Sequence, residues 1–431
     1  VINRPLSPAE RWYWLCDQLS PLNCIVRVHI AGAVSCADLE RAAAGLVAEH
    51  PLLRVAVAAA PDGTRPRFVP VKDPRIPIRT VTAEDPGRWE REIDGVELVT
   101  PLATRSGPLA RIVDIIHAPG SAQECHDLIL TVSHIIADGT AVMEMLRRLL
   151  ELAAGTPSPE PHDPLPPPEA MLPRWIKGVP RTLQTVAWAV ADQIATAIAR
   201  PRRLVPDTPV PAERRRTRLV HRELDAEQLD RLVSRCKREG LTVHSALTAT
   251  MAIAVAGEDA RCVTLGSPVD FRAELVRPVG SRDLGSYVAT VPSHIRIGPL
   301  WATARRAQRD LNRRTRFGQH LALISMLRFM TPPSVGRSAR TIAMVDRMGP
   351  GNVCLSNLGR FPFPDRVGEW DVSGIQPVAG LSISGLLVAV VITSHSALSW
   401  NFSYIEGALI RERAERIADR AVEILLSSIG G

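Results

Sequence analysis

"TVSHIIADGTA", residues 131–141, closes an apolar run and sets a histidine and an aspartate four positions apart, with glycine directly after the aspartate. The preceding "CHDLILTVSH" has the aliphatic, β-branched make-up of a strand, which puts His134 at or just past a strand end. "AVMEMLRRLLELAAG" follows, with Val142, Met145, Leu146 and Leu149 on one helical stripe and Gly155 at its end. Gly139, between the two, permits a tight turn and a close approach of substrate to backbone. A histidine at such a junction can act as a general base, because its ordinary pKa lies near neutrality. Asp138 has two readings. It orients the imidazole, as in a hydrolase triad, or it fixes the loop by pairing with a cation from elsewhere.

Upstream, "RPLSPAERWYWLCDQLS" opens on a helix-capping signal, Ser7-Pro8 before Glu10, and "NCIVRVHIAG" alternates like a strand. "SCADLERAAAGLVAEHPLLR" predicts a helix capped by Ser35, and "RPRFVPV" and "LARIVDIIHA" predict further strands. Residues 1–155 thus form a first unit that carries the histidine. Residues 156–218 form a Pro/Arg-rich crossover, "TPSPEPHDPLPPPEAMLP" at its head, with a helix at about 181–200. Residues 219–431 form a second unit. In it "DAEQLDRLVSRCKREG", "TVHSALTATMAIAVAG" and "LWATARRAQRDLNRRTRF" read as helices, and "CVTLGSPVD", "NVCLSNLGRF" and "GLLVAVVITSHSALSWNFSY" as strands. The last helix is "IRERAERIADRAVEILLSSI". Strands and helices mix without strict alternation, which predicts an α+β fold.

Composition excludes several classes. At 431 residues, 45% hydrophobic and 23% charged, the chain is an ordinary globular protein. Its net charge of +7 is almost all arginine, since only Lys72, Lys177 and Lys237 are lysines. No aromatic-interleaved basic patch or zinc-finger spacing accompanies that charge, so nucleic acid is not an expected partner. The seven cysteines are scattered without a CxxC pair, which argues against a zinc site and a disulfide framework and fits a cytoplasmic protein. No signal peptide is visible, and "VAWAVADQIATAIA" is too short and too polar for a membrane span. There is no GxSxG elbow and no HExxH, so a catalytic His134 would activate a nucleophile brought by the substrate.

With these segments in order, the chain resembles the condensation-domain and chloramphenicol-acetyltransferase superfamily of acyltransferases, above all the free-standing polyketide-associated, phthiocerol dimycocerosyl transferase-like branch. The signature His-x-x-x-Asp-Gly stands as "HIIADG". "GAVSCADLERAAAGLVAEHPLLR", "GLTVHSALTATMAIAVA", "GSPVDFRAELVRP", "LGSYVATVP", "CLSNLGRF" and "LSWNFSYIEGALIRERAERIA" resemble further family segments, so the likeness spans roughly residues 5–425.

The resemblance implies two acetyltransferase-like lobes in a V with a tunnel between them. It implies that His134 alone is the base, that Asp138 is structural and pairs with Arg272 of "VDFRAEL", and that the Gly139 N–H helps hold an oxyanion. It implies an acyl thioester donor, on coenzyme A or on the phosphopantetheine of an acyl carrier protein or polyketide synthase. The acceptor would be a small molecule or lipid, attacked directly, with no metal and no bound cofactor, and a monomer would suffice. Ser133 stands where many condensation domains carry a second histidine, which favours ester over amide formation. Ser356 and Asn357 of "SNLGR" are candidate donors to substrate, and Arg214, Arg215 and Arg216 are candidates for docking an acidic carrier protein. Two rival readings are a catalytically silent carrier-docking module and a cyclisation in the same tunnel.

Overall fold

The first unit contributes β1 (Asn23–Ala31), β2 (Val55–Ala58), β3 (Arg67–Pro70), β4 (Ile78–Thr82), β5 (Ala110–His117) and β6 (Cys125–Ser133). After the crossover come β7 (Thr217–Leu224), β8 (Cys262–Asp270), β9 (Val288–Arg296) and β10 (Val353–Arg360). β11 (Arg366–Val367), β12 (Trp370–Ala379), β13 (Leu387–Ser394) and β14 (Ala397–Ile405) follow. In this computed structural model the described residues are 2–430 apart from 159, 177, 179–182, 185, 186, 189, 192, 193, 195, 196, 199, 258, 259, 350 and 351. The strands form two six-stranded sheets, β11-β12-β1-β6-β5-β4 and β7-β14-β13-β10-β8-β9, and a separate β2-β3 pair. Helices pack on both, so the fold is α+β with two lobes, as the sequence leads one to expect.

β6 explains why the run before His134 reads as continuously apolar. It lies between β1 and β5, antiparallel to both, and is buried along almost its whole length. Leu128, Leu130 and Val132 face one core together with Val26, Val28 and Ile30 of β1. Helices Cys36–Glu49 and Gly139–Ala153 close that core. Ile129 faces the opposite side with Ile25, Val113 and Ile115, under Trp89 and Ile93. A strand covered on both faces gains from apolar residues at every position, so strict alternation is lost.

β12 departs from the division at residue 219. It lies within the 219–431 segment yet pairs antiparallel with β1, so the second part of the chain completes the first sheet. "WDVSGIQPVA" gives little strand signal, because Gly374 and Pro377 interrupt it. Gly374 adopts φ 61° at a register shift opposite Arg27–His29, and a Cβ there would lie 2.4 Å from the Arg27 guanidinium. Beyond Asp371 the outer edge of β12 has no named partner among the described strands, a position that tolerates proline.

The capped helices form where expected, at Pro8–Leu19 with a Ser7/Glu10 capping box, Cys36–Glu49, Ala226–Glu239 and Val243–Ala256. Helices Gln319–Met330 and Ala339–Met348 are not expected from the sequence, and neither has a side-chain cap to announce it. Half of the positions of the helix expected at about 181–200 lie outside the described residues. The head of the crossover is pinned to the first lobe by Arg148, which bonds Glu49 at 2.7 Å and the Pro157 carbonyl at 2.8 Å. Among the described residues no helix is long and apolar enough to cross a membrane, and no side-chain cluster could hold a metal ion.

Candidate active site

His134 is the first residue past β6, its N–H directed at the Leu22 carbonyl at 3.4 Å. Its side chain lines a cavity whose walls come from both sheets. Val142 and Met143 of the helix Gly139–Ala153 form one side, and Cys354, Val388 and Val390 of the second sheet another. The lining is mostly apolar, so an acyl chain or a comparably greasy group would be desolvated favourably there. Nδ1 of His134 is sealed from solvent with no side-chain hydrogen-bond partner among the described residues and has only backbone carbonyls near it, which leaves Nε2 as the nitrogen available to a substrate. Burial lowers the pKa of the ring, opposed by the charge of Asp138 and by the backbone carbonyls nearby. The neutral, proton-accepting form is therefore favoured at neutral pH.

Asp138 does not orient the histidine. Its carboxylate is the N-cap of the helix Gly139–Ala153, accepting from the Ala141 N–H at 3.1 Å. It also accepts from the Arg272 guanidinium at 2.9 Å and from the Tyr287 N–H at 2.8 Å. Arg272, itself 6% exposed, reaches Asp270 at 2.8 Å with its other terminal nitrogen and stacks over the Tyr287 ring at 4.7 Å. A parallel bridge between Ala137 and Gly285 adds a backbone link at the same place. The motif loop of the first lobe is thus bolted to the second through one buried carboxylate. Of the partners that spacing left open, the one in contact with the Asp138 carboxylate is Arg272.

Gly139 lines the cavity at the first helical position, where an N–H has no intrahelical acceptor. A Cβ on it would sit 2.8 Å from Leu358 Cδ2 of β10, so the loop packs closely against that strand and a larger residue would have to displace the leucine methyl.

The other sequence candidates divide. Ser356 lines the cavity. Asn357 does not. Its Oδ1 accepts from the Gly359 N–H at 2.8 Å and closes a turn. Ser133 is fully buried, accepts weakly from the Ile135 N–H at 3.4 Å, and does not line the cavity either. Arg215 is buried and paired with Asp346 at 2.8 Å, whereas Arg214 and Arg216 are exposed. Two contributors had no signal in local spacing. Tyr13 stacks on His134 from residue positions far upstream, and Tyr287 acts through its backbone N–H.

Two sheets joined by an exchanged strand, with a histidine loop at their shared cavity, define a fold of the condensation and acetyltransferase type. Solved structures agree over nearly the whole chain. The epimerization domain from the third module of tyrocidine synthetase B matches with a TM-score of 0.73 and 15% identity, covering 99% of this chain and 96% of that one. A trichothecene 15-O-acetyltransferase from Fusarium sporotrichioides matches with a TM-score of 0.76 and 13% identity, covering 99% and 95%. Polyketide synthase associated protein 5 from Mycobacterium tuberculosis matches with a TM-score of 0.68 and 16% identity, covering 100% and 98%. At these identities the likeness is one of fold.

In sequence, residues 213–397 match the family described as phthiocerol/phthiodiolone dimycocerosyl transferase C-terminus. A stretch of 153 residues is 26% identical to a linear gramicidin synthase polypeptide of Brevibacillus parabrevis, covering 34% of this chain and only 2% of that protein's length. These findings bear out the resemblance to the condensation-domain and chloramphenicol-acetyltransferase-like superfamily, on the side of the phthiocerol dimycocerosyl transferases. They support a transferase of the acyl-transfer or condensation type.

Proposed function

We propose that the protein moves an acyl group from a thioester donor to a hydroxyl of a natural-product or lipid acceptor, with His134 as general base. The observation that carries this reading is a histidine that lines a largely apolar cavity walled by both lobes. Nε2 takes the acceptor proton as the oxygen attacks the thioester carbonyl. The C–O bond forms, the C–S bond breaks, and the leaving thiolate recovers the proton from the imidazolium. The Gly139 N–H is assigned to the carbonyl oxygen as it becomes negative. Burial pushes the thiol of Cys354 up to about 12, and that of Cys24 higher still, so neither cavity thiol competes as a nucleophile. That supports direct transfer without an acyl-enzyme.

The test incubates the protein with acyl-coenzyme A or an acyl-pantetheine and a panel of alcohols and amines, followed by mass spectrometry. Ester product is expected, with kcat/KM rising as pH increases through a value below 6.5, the ordinary histidine value, because burial lowers the His134 pKa and only the neutral ring accepts a proton. No transfer to any acceptor would favour the silent docking module, and loss of water or an intramolecular product would favour cyclisation.

A carrier protein as donor adds a separate expectation. Arg214 and Arg216 lie exposed on the same surface stretch, and exposed charges act mainly on association, screened over about 8–10 Å at ordinary salt. Reversing both to Glu should raise KM for a carrier-bound donor with little change in kcat, an effect that shrinks as salt rises. A pantetheine donor should show no such change. Equal impairment on both donors would remove these arginines from docking.

A further inference from the structure

A surface helix ordinarily turns its apolar stripe inward and its polar face to water. The crossover does the reverse. Its described positions between 183 and 198 are helical, and Leu183, Val190, Ile194 and Ile198 are each more than half exposed, Ile198 at 79%. Their spacings of seven, four and four residues put them on one stripe, within about a quarter-turn of helix. Ala187, Ala191 and Ala197 beside them are exposed as well. Single exposed leucines are ordinary, but a continuous apolar stripe marks an interaction surface. Trp188 borders it, and its ring meets that of Phe317, exposed just past the helix Leu300–Arg316, at 6.2 Å.

The surrounding charges select the partner. Between Arg181 and Arg200 the sequence has one charged residue, Asp192, whereas Arg174, Lys177 and Arg181 stand at its head and Arg200, Arg202 and Arg203 at its foot. Arg174, Arg200, Arg202 and, next to Phe317, Arg316 are exposed. A second copy of this helix is basic at both ends, so pairing two of them would set like charges together in either orientation. An anionic lipid surface accepts both features. Its acyl boundary takes the stripe and Trp188, and its headgroups take the arginines. Asp192 and Gln193 are too polar for the middle of a span, so the helix lies in the plane of the interface. We propose that the crossover helix docks the protein peripherally on an anionic lipid surface, with Leu183, Val190, Ile194 and Ile198 entering the acyl boundary. The inference stands apart from the chemistry at His134, since none of these residues lines the catalytic cavity.

The experiment floats the purified protein with vesicles of phosphatidylcholine alone and of phosphatidylcholine mixed with phosphatidylglycerol. Binding is expected on the mixed vesicles and little on the neutral ones, and it should weaken as salt rises, because headgroup attraction is screened. An arginine near such a surface is worth about fivefold in affinity, so Arg200→Glu with Arg202→Glu should weaken binding by about 25-fold or more. Ile194→Asp with Ile198→Asp should abolish it. Thermal unfolding is the folding control, and changes at exposed positions should leave it unaltered. Should the double aspartate fail to fold, Ile198→Ser, at the most exposed of the four positions, is expected to weaken binding in its place. No flotation on either vesicle, equal flotation on both, or isoleucine variants that bind like wild type would overturn the proposal. So would sedimentation velocity showing a dimer that the isoleucine variants dissolve, which would assign the stripe to a second copy of this chain.

Discussion

His134→Ala is expected to lose about 10²–10⁴-fold in kcat while keeping the fold, the range typical of a general base. A residual rate should survive, because the cavity and the Gly139 N–H remain to hold donor and acceptor together. The fold should tolerate the change, since the ring stacks on Tyr13 and its Nδ1 is bonded to no other side chain among the described residues. There is also a stability signature. Burial lowers the His134 pKa in the folded state, so acidification below the unfolded value of about 6.5 favours the unfolded chain, which takes the proton first. The alanine variant lacks that loss, so its stability relative to wild type should improve as pH falls from 7 to 5. Turnover within threefold of wild type, in a variant that circular dichroism shows folded, would remove His134 from the chemistry.

Asp138→Ala is expected to cost about 3–5 kcal/mol of stability, by leaving a buried guanidinium with half its compensation and a helix without its cap. Arg272→Ala should cost less, because Asp138 keeps its two backbone donors, Ala141 and Tyr287. The double variant should fall short of the sum by about 1–3 kcal/mol, since neither buried charge is then left alone. Denaturant unfolding of the four proteins measures this directly, and strict additivity would mean that the 2.9 Å contact carries no coupling. Activity should fall in all three variants, because the loop that places His134 and Gly139 is held through this carboxylate.

Local elements were legible where local physics decides them. Ser7, Ser35 and Thr242 announce their helices because a side-chain oxygen that caps an N-terminus competes for nothing beyond three residues away. The strand before His134, the helix after it and the glycine between are equally local. The resemblance, carried by ordered segments across the chain, supplied the partnership of Asp138 with Arg272, which spacing alone left open. What the sequence could not order is what depends on residues hundreds of positions apart meeting in space. β12 was hidden because its glycine and proline are tolerated only at the sheet position it occupies against β1. The partners of Asn357 and Arg215, the Gly359 N–H and Asp346, are contacts that the structure alone reveals. By itself the sequence determined the class of fold, the candidate base and the loop that carries it. Only the tertiary structure decided which polar groups are free to meet a substrate, because a side chain's availability depends on what else has already claimed its hydrogen bonds.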